Sequence, residues 1–185
     1  MRLFIATSFP EAVLREVNER VARIRSRLPA ASWVKPEAQH VTFAFLGEQP
    51  QSVVPQLTAA LSDALRDVQA FDATLRAAGF FPNPRHARVG WVGLDPEAPF
   101  TRVADIVRRA VTNEGMTLDG GDFKAHLTLM RIRDRWPPAS IELFTRSLHD
   151  YRSEPFRVER ITLYSSQLHP NGAIHTPLHE IALTA

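Results

Sequence analysis

The chain has 185 residues, of which 44% are hydrophobic and 23% are charged, and these values, near the average of folded proteins, exclude wholesale disorder. Its formal net charge is only +2, which excludes a strong polyelectrolyte field, and no apolar run approaches the ~20 residues that span a bilayer. Cysteine is absent, which excludes disulfides, thiol nucleophiles and cysteine-based metal sites and is consistent with a reducing, cytoplasmic environment.

Short apolar runs rich in β-formers predict strands, and apolar residues repeated every three or four positions predict helices. In chain order, strands or extended segments are predicted at residues 3–9, 33–46, 71–80, 89–94, 126–132, 156–164 and 174–183. Helices are predicted at residues 13–24, 53–68, 100–111 and 141–148. The first apolar run is followed too soon by Pro10 and Glu11 to be a signal peptide. The last two strands are expected to be joined by a hairpin-like connection at Pro170-Asn171-Gly172.

The sequence contains an internal repeat at an offset of 86 residues. Pro10-Glu11-Ala12 matches Pro96-Glu97-Ala98, and His40-Val41-Thr42-Phe43 matches His126-Leu127-Thr128-Leu129. In both copies 30 positions separate the proline from the histidine, and a strand, a helix and a second strand follow in the same order. We therefore expect an α+β fold of two similar lobes, with two antiparallel sheets lining a central cleft and helices on the outside.

Each copy of the repeat carries a His-x-Thr sequence on a predicted strand. Since strand side chains alternate between faces, His40 shares a face with Thr42, and His126 shares a face with Thr128. A pseudo-twofold relation between the lobes would aim two imidazoles and two hydroxyls at one point. An imidazole titrates near pH ~6.5, so such a pair can act as general acid and base on a phosphodiester while the hydroxyls bind its non-bridging oxygens.

A single His-x-Thr segment is most often structural, whereas two in matching repeats indicate a functional site. The main chemical alternative is a metal centre, but two histidines without a carboxylate at ligand spacing make a poor zinc site, so we expect no metal. The remaining histidines lack the repeated setting and are predicted to be ordinary surface or core residues: His86, His149, His169, His175 and His179.

The paired His-x-Thr motifs in a duplicated chain resemble the two-histidine phosphoesterase superfamily. Within it, the sequence is most similar to the RNA 2′,3′-cyclic phosphodiesterases, also called the 2′-5′ RNA ligase family. The similarity covers nearly the whole chain and includes the segments Arg2-Leu3-Phe4-Ile5-Ala6, Val89-Gly90-Trp91-Val92-Gly93 and Leu163-Tyr164-Ser165-Ser166-Gln167-Leu168. Two positions depart from the family: Ala125 replaces a frequent proline, and Ile174-His175 stands where an aromatic residue is common. The resemblance implies one domain over residues 1–185 with two pseudo-symmetric lobes.

The resemblance also implies roles for the four motif residues. By position, His40 is the proton donor to the leaving ribose oxygen, and His126 is the proton acceptor that activates water. Thr42 and Thr128 bind the phosphate oxygens. The implied reaction opens a terminal 2′,3′-cyclic phosphate to a 2′-phosphate without a cofactor. The residues by themselves leave the acid and base roles interchangeable.

Two further residues, Arg131 and Phe45, are expected to bind substrate. Strict alternation points both side chains away from the histidine face, so Arg131 reaches the cleft only through a bulge or at the strand end. The alternatives are a surface arginine and, for Phe45, packing in the core instead of stacking on a base.

The predicted partners are RNA ends or nucleotides that bear a cyclic phosphate, with no membrane and a monomeric protein. Alternatives within the enzymes are a 2′-5′ RNA ligase or phosphodiesterase and a hydrolase of small cyclic phosphates. A non-catalytic RNA-binding module would be expected to have lost part of one motif, and both motifs are intact.

Overall fold

The computed structural model describes residues 1–169 and 172–185. Within this part of the chain, strands and helices alternate much as the sequence predicts. The strands are β1 (Arg2–Ser8), β2 (Ser32–Trp33), β3 (His40–Glu48), β4 (Phe71–Phe81), β5 (Val89–Asp95), β6 (His126–Arg131), β7 (Phe156–Val158), β8 (Arg160–His169) and β9 (Gly172–Ala182). The helices are α1 (Glu11–Arg25), α2 (Val54–Leu65), α3 (Glu97–Asn113) and α4 (Pro138–Ser147).

The strands form two antiparallel sheets, which confirms the predicted α+β fold. The first sheet has four strands in the order β3-β1-β8-β9, and the second has five in the order β2-β6-β5-β4-β7. Each sheet contains the two long strands of one copy of the repeat, since β1 pairs with β3 in the first sheet and β5 pairs with β6 in the second. The connecting helices are α1 and α3. Each motif histidine begins a strand and lies opposite the carboxyl-terminal part of its partner, His40 opposite Ser8 and His126 opposite Gly93.

The first helix shows why the repeat folds in this way. Its valine, leucine and isoleucine residues recur at helical spacing and are all buried, whereas charged residues occupy the other face. Pro10 precedes the first turn, where its missing N–H is not needed, and its carbonyl oxygen accepts hydrogen bonds from Val13 and Leu14. Each buried valine or leucine of such a face contributes roughly 1.5–3 kcal/mol to stability. Pro96 precedes α3 in the same manner.

One hydrophobic core extends through both sheets. Phe43 on β3 stacks on Phe100 of α3, with ring centroids 6.5 Å apart, so the helix of the second repeat packs on a strand of the first sheet. This contact ties the two copies together. Among the described residues, no helix combines the length and the apolar character needed to cross a lipid bilayer.

Two predicted elements differ from the structure. The single strand predicted at residues 156–164 is two strands that belong to different sheets: β7 pairs with β4, and β8 pairs with β1. The chain crosses between the sheets at Glu159, and a local hydrophobic pattern does not record which sheet a strand joins. The extended segment predicted at residues 33–46 is interrupted by a 3₁₀ turn, Pro36–Ala38. The hairpin connection expected at residues 170–172 lies partly outside the described residues. Gly172, its last residue, pairs with His169.

Candidate active site

The two His-x-Thr segments lie on strands that touch each other although they belong to different sheets, since β3 and β6 are in direct contact. In both segments the histidine and the threonine are half-buried, while the residue between them is fully buried. We call the side of each strand that carries the histidine its cleft face. The structure therefore brings His40, Thr42, His126 and Thr128 to the place where the two sheets meet.

Both strands contain a β-bulge at equivalent positions. On β3, Phe43 has no partner on β1, and on β6, Leu129 has no partner on β5. A bulge inserts one extra residue and reverses the alternation beyond it. In each strand two consecutive buried residues are accordingly followed by an exposed one, which is Phe45 in β3 and Arg131 in β6. The side chains of Phe45 and Arg131 thus lie on the cleft face, where strict alternation does not put them.

The orientation of each imidazole is set by a backbone carbonyl two residues earlier. The Nδ1 atom of His126 lies 2.6 Å from the carbonyl oxygen of Lys124, and the ring of His40 has a hydrogen bond to the backbone of Ala38. A carbonyl oxygen only accepts hydrogen bonds, so Nδ1 of His126 carries the proton and donates it. The neutral ring then keeps an unprotonated Nε2, which is the form that a general base requires.

Burial keeps both imidazoles neutral in the ligand-free protein. It lowers the pKa of His40 to about 4, with further lowering from His175, His126 and Arg131 and an opposing effect from the Ala38 carbonyl. The pKa of His126 is also lowered, chiefly by burial and then by Arg131, against the effect of the Lys124 carbonyl. The positive charge of Arg131 thus lowers the pKa of both imidazoles. A bound anion has the opposite effect, because it stabilises the protonated form of a neighbouring imidazole.

An aromatic cluster forms the floor of the cleft on the first sheet. Phe4 on β1 is only 2% exposed, yet it lies apart from the main core. Its ring stacks on His40 at 4.8 Å and on Tyr164 at 5.1 Å, and it meets Phe45 at 6.0 Å and His175 edge-on at 4.9 Å. Sequence reasoning did not assign this role to Phe4. The available signal is its alternation with Leu3 and Ile5, which face the core.

A second aromatic surface lies beside His126. The edge of Phe81 contacts His126 with centroids 4.9 Å apart, and Phe81 stacks on Trp91 at 5.1 Å. The indole lies flat on the backbone of β4 because position 79 is glycine: a Cβ there would come within 2.4 Å of the ring. A cavity of about 350 Å³ opens next to these rings, with Arg76 and Lys124 among its lining residues. An organic group can therefore be accommodated next to His126.

Of the five histidines predicted to be ordinary surface or core residues, His175 lies beside a motif histidine. Its ring lies edge-on to His40 with centroids 5.2 Å apart. By contrast, His179 bonds the Ser62 hydroxyl on α2 through Nε2 at 3.1 Å, and His149 lies on the surface beside Asp150. In the described ranges, 1–169 and 172–185, no group of three or more His, Cys, Asp or Glu side chains is placed to hold a metal ion.

Comparisons with known proteins agree with this geometry. A family model described as the 2′-5′ RNA ligase superfamily matches residues 10–170. A curated relative from Archaeoglobus fulgidus, named RNA 2′,3′-cyclic phosphodiesterase, is 33% identical and covers 96% of this chain and 98% of its own. A protein of the same name from Thermus thermophilus is 33% identical over 99% of this chain and 90% of its own.

Solved structures give the same result. The crystal structure of TT0787 of Thermus thermophilus superposes with a TM-score of 0.79 at 29% identity, covering 99% of this chain and 98% of that one. The crystal structure of E. coli LigT complexed with 3′-AMP gives a TM-score of 0.73 at 26% identity and covers 100% of this chain and 98% of that one. The similarity thus extends over the whole fold and includes both sheets.

Proposed function

Because this chain belongs to the 2′-5′ RNA ligase superfamily and is a cyclic phosphodiesterase, a hydrolase of phosphodiester bonds, we propose that it opens terminal 2′,3′-cyclic phosphates of RNA to 2′-phosphates by two-histidine catalysis. The observation that carries the proposal is the meeting of two His-x-Thr strands from different sheets, each with its histidine oriented by a backbone carbonyl. The two sheets act as pseudo-symmetric lobes of one catalytic domain, and no metal ion takes part.

The reaction needs one proton removed and one supplied. Nε2 of His126 takes a proton from water as the water oxygen bonds to phosphorus. The bond between phosphorus and the ribose 3′ oxygen breaks, and His40 donates a proton to that oxygen. The products are a 2′-phosphate and a 3′-hydroxyl, and the protonation states of the two rings are restored by exchange with solvent. The strain of the five-membered cyclic diester offsets part of the barrier.

Four side chains hold the substrate in this proposal. The hydroxyls of Thr42 and Thr128 donate hydrogen bonds to the non-bridging oxygens, where negative charge must be stabilised through the transition state. Arg131 lies on the cleft face beyond the bulge and acts on both imidazoles, a position from which a guanidinium can contact the same phosphate. Phe45 is 46% exposed beside Phe4 and offers its ring to a base.

The proton that His40 donates is taken up together with the substrate. With a pKa of about 4, this imidazole is neutral at pH 7 in the free protein. The phosphodiester carries a negative charge, which favours the imidazolium and raises the pKa of both rings in the complex. A donor that is acidic in its own environment then gives up its proton readily to the leaving oxygen.

A second activity is supported by the family match and by the likeness to E. coli LigT. Joining or splitting a 2′-5′ linkage is the same chemistry, with a ribose hydroxyl in place of water. In both cases the partners are RNA ends or nucleotides bearing a cyclic phosphate. We place the protein in the cytoplasm as a monomer, since a central cleft formed within one chain needs no second subunit.

The test is a panel of 2′,3′-cyclic nucleotides and RNAs ending in a cyclic phosphate, assayed with EDTA present and with the products identified by NMR. Hydrolysis to a 2′-phosphate in EDTA supports the proposal. Binding without turnover would instead identify a non-catalytic RNA-binding module, and a 3′-phosphate product would contradict the direction of ring opening.

A further inference from the structure

His175 comes to the active site from the far edge of its sheet. It lies on β9, and His40 lies on β3 at the opposite edge of the order β3-β1-β8-β9. In a flat sheet these two strands would be about 14 Å apart, at roughly 4.7–4.9 Å per strand. Their rings are instead 5.2 Å apart, and β9 contacts the 3₁₀ turn Pro36–Ala38 that leads into β3. The first sheet is therefore curled, and its concave side brings His175 onto His40.

The contact between the two rings is specific. His40 and His175 meet at 86°, which is an edge-to-face arrangement, and both lie against Phe4. Edge-to-face packing of this kind fixes the orientation of a ring better than a flexible aliphatic contact does. Nδ1 of His175 is buried without a hydrogen-bond partner in the part of the chain that the structure describes. This nitrogen therefore does not fix the orientation of the His175 ring, which is set by its contacts with His40 and Phe4.

We propose that His175 is a positioning residue that fixes the ring of His40 in the orientation from which it donates its proton. This inference rests on the proposed function in one respect, namely that His40 is the proton donor. When His175 is protonated, its charge opposes a charge on His40 across the 5.2 Å contact, an effect that an uncharged aromatic ring would not have.

None of the other groups that face His40 opposes a charge on its ring as strongly as His175 does. The preceding turn contributes the Ala38 carbonyl, which favours the protonated ring, and β1 contributes the apolar ring of Phe4. From β6, His126 and Arg131 also oppose protonation, but both act more weakly than His175. Burial lowers the pKa of His175 as well, so its charge opposes a charge on His40 only at acidic pH.

The experiment follows the imidazole of His40 by NMR titration in ligand-free wild-type protein and in a His175→Phe variant. Phenylalanine keeps the aromatic packing and removes the second imidazole. We expect the wild-type midpoint near 4 and a midpoint in the variant that moves towards 6.5. In the pH profile of activity, the limb that reflects the protonation of His40 should move to higher pH together with the NMR midpoint. A His175→Leu variant serves if the phenylalanine variant lacks a native spectrum, and a His149→Phe variant controls for the loss of an exposed histidine.

The possible results separate this inference from the proposed function. A His40 midpoint that is the same in wild type and in the His175 variants overturns the inference, whatever the activity. A wild-type protein that turns over no cyclic phosphate overturns the proposed function, whatever the midpoint. A raised midpoint in His175→Phe, which keeps the ring packing and so the burial of His40, together with a shifted activity limb supports both.

Discussion

Phe45 and Arg131 occupy equivalent places in the two repeats, 86 positions apart, and each leaves the core face of its strand through the same kind of bulge. The backbone is thus repeated, but the side chain that it presents is not. An aromatic ring lies on the His40 side of the cleft, and a guanidinium lies on the His126 side. This difference breaks the near-symmetry of the two motifs, and in the proposed function each side of the cleft has its own task in holding an RNA end.

Replacing Arg131 with alanine removes a proposed phosphate contact. Net contributions of hydrogen bonds to charged groups are about 1.5–3 kcal/mol, which corresponds to a loss of roughly 10–150-fold in kcat/KM. Lysine should restore part of this loss, because it keeps the charge but not the planar donor pair. Steady-state kinetics on a cyclic-phosphate RNA measures the effect, with Arg23→Ala on the exposed side of α1 as the control. Equal kinetics in Arg131→Ala and the control would show that Arg131 does not contact the substrate.

Replacing Phe45 with alanine tests the proposed stacking on a base. Stacking of a base on an aromatic side chain is worth about 1–3 kcal/mol, so KM for an RNA substrate should rise while kcat changes little. Because the ring is 46% exposed, the midpoint of thermal unfolding should stay close to that of the wild type. Phe45→Tyr is the matched variant that keeps the ring. An unchanged KM accompanied by a large loss of stability would instead assign Phe45 to packing.

The hydroxyls of Thr42 and Thr128 can be removed with little change in shape by substitution with valine. Valine keeps the β-branch that suits a strand, so the fold should persist. Each variant should lose about 10²–10³-fold in kcat, as when one donor to a developing anion is removed. Thr101→Val on α3 is the control for the substitution itself. If Thr42→Val and Thr128→Val turned over at the control rate, the proposed phosphate contacts would be wrong.

The lowered pKa of His40 makes stability depend on pH in a defined window. Between pH 6.5 and about 4 the unfolded chain binds a proton at this ring that the folded protein does not. The free energy of unfolding therefore falls as the pH drops from 6.5 to about 4 and is unaffected by this ring outside that window. The full lowering of the His40 pKa corresponds to about 3 kcal/mol in the free energy of unfolding.

Urea unfolding at several pH values measures this dependence, and a His40→Asn variant isolates the contribution of the ring from that of His126. The variant should lose less stability than the wild type across the window. Parallel pH curves for the two proteins would mean that His40 titrates normally in the folded state.

Much of this architecture could be predicted from local patterns. The repeat follows from matching residues at an offset of 86 positions. Periods of 3.6 and 2 predict the apolar faces of α1 and α3 and the shared face of each histidine and threonine. The bulges at Phe43 and Leu129 could not be predicted, because a bulge is defined by the pairing with a neighbouring strand. Strict alternation therefore gives the wrong face for Phe45 and Arg131.

The role proposed for His175 also could not be predicted from the sequence around it. Nothing in the segment around it repeats a motif, and its contact with His40 depends on the curling of a four-stranded sheet. The sequence shows that Ile174-His175 stands where the family often has an aromatic residue. What this departure does became clear only from the packing around Phe4. The division of residues 156–164 between β7 and β8 is of the same kind, since sheet membership is a property of the whole fold.

In the proposed mechanism, His40 and His126 act together on one phosphorus atom. Its most direct test is the rate of hydrolysis of an RNA ending in a 2′,3′-cyclic phosphate, with EDTA present, by wild type, His40→Ala, His126→Ala and the double variant. We expect each single variant to lose about 10²–10⁴-fold, and the double variant to lose far less than the product of the two losses, because the rings work as a unit. Turnover within about tenfold of wild type in either single variant, smaller than the effect of a catalytic acid or base, would contradict the claim.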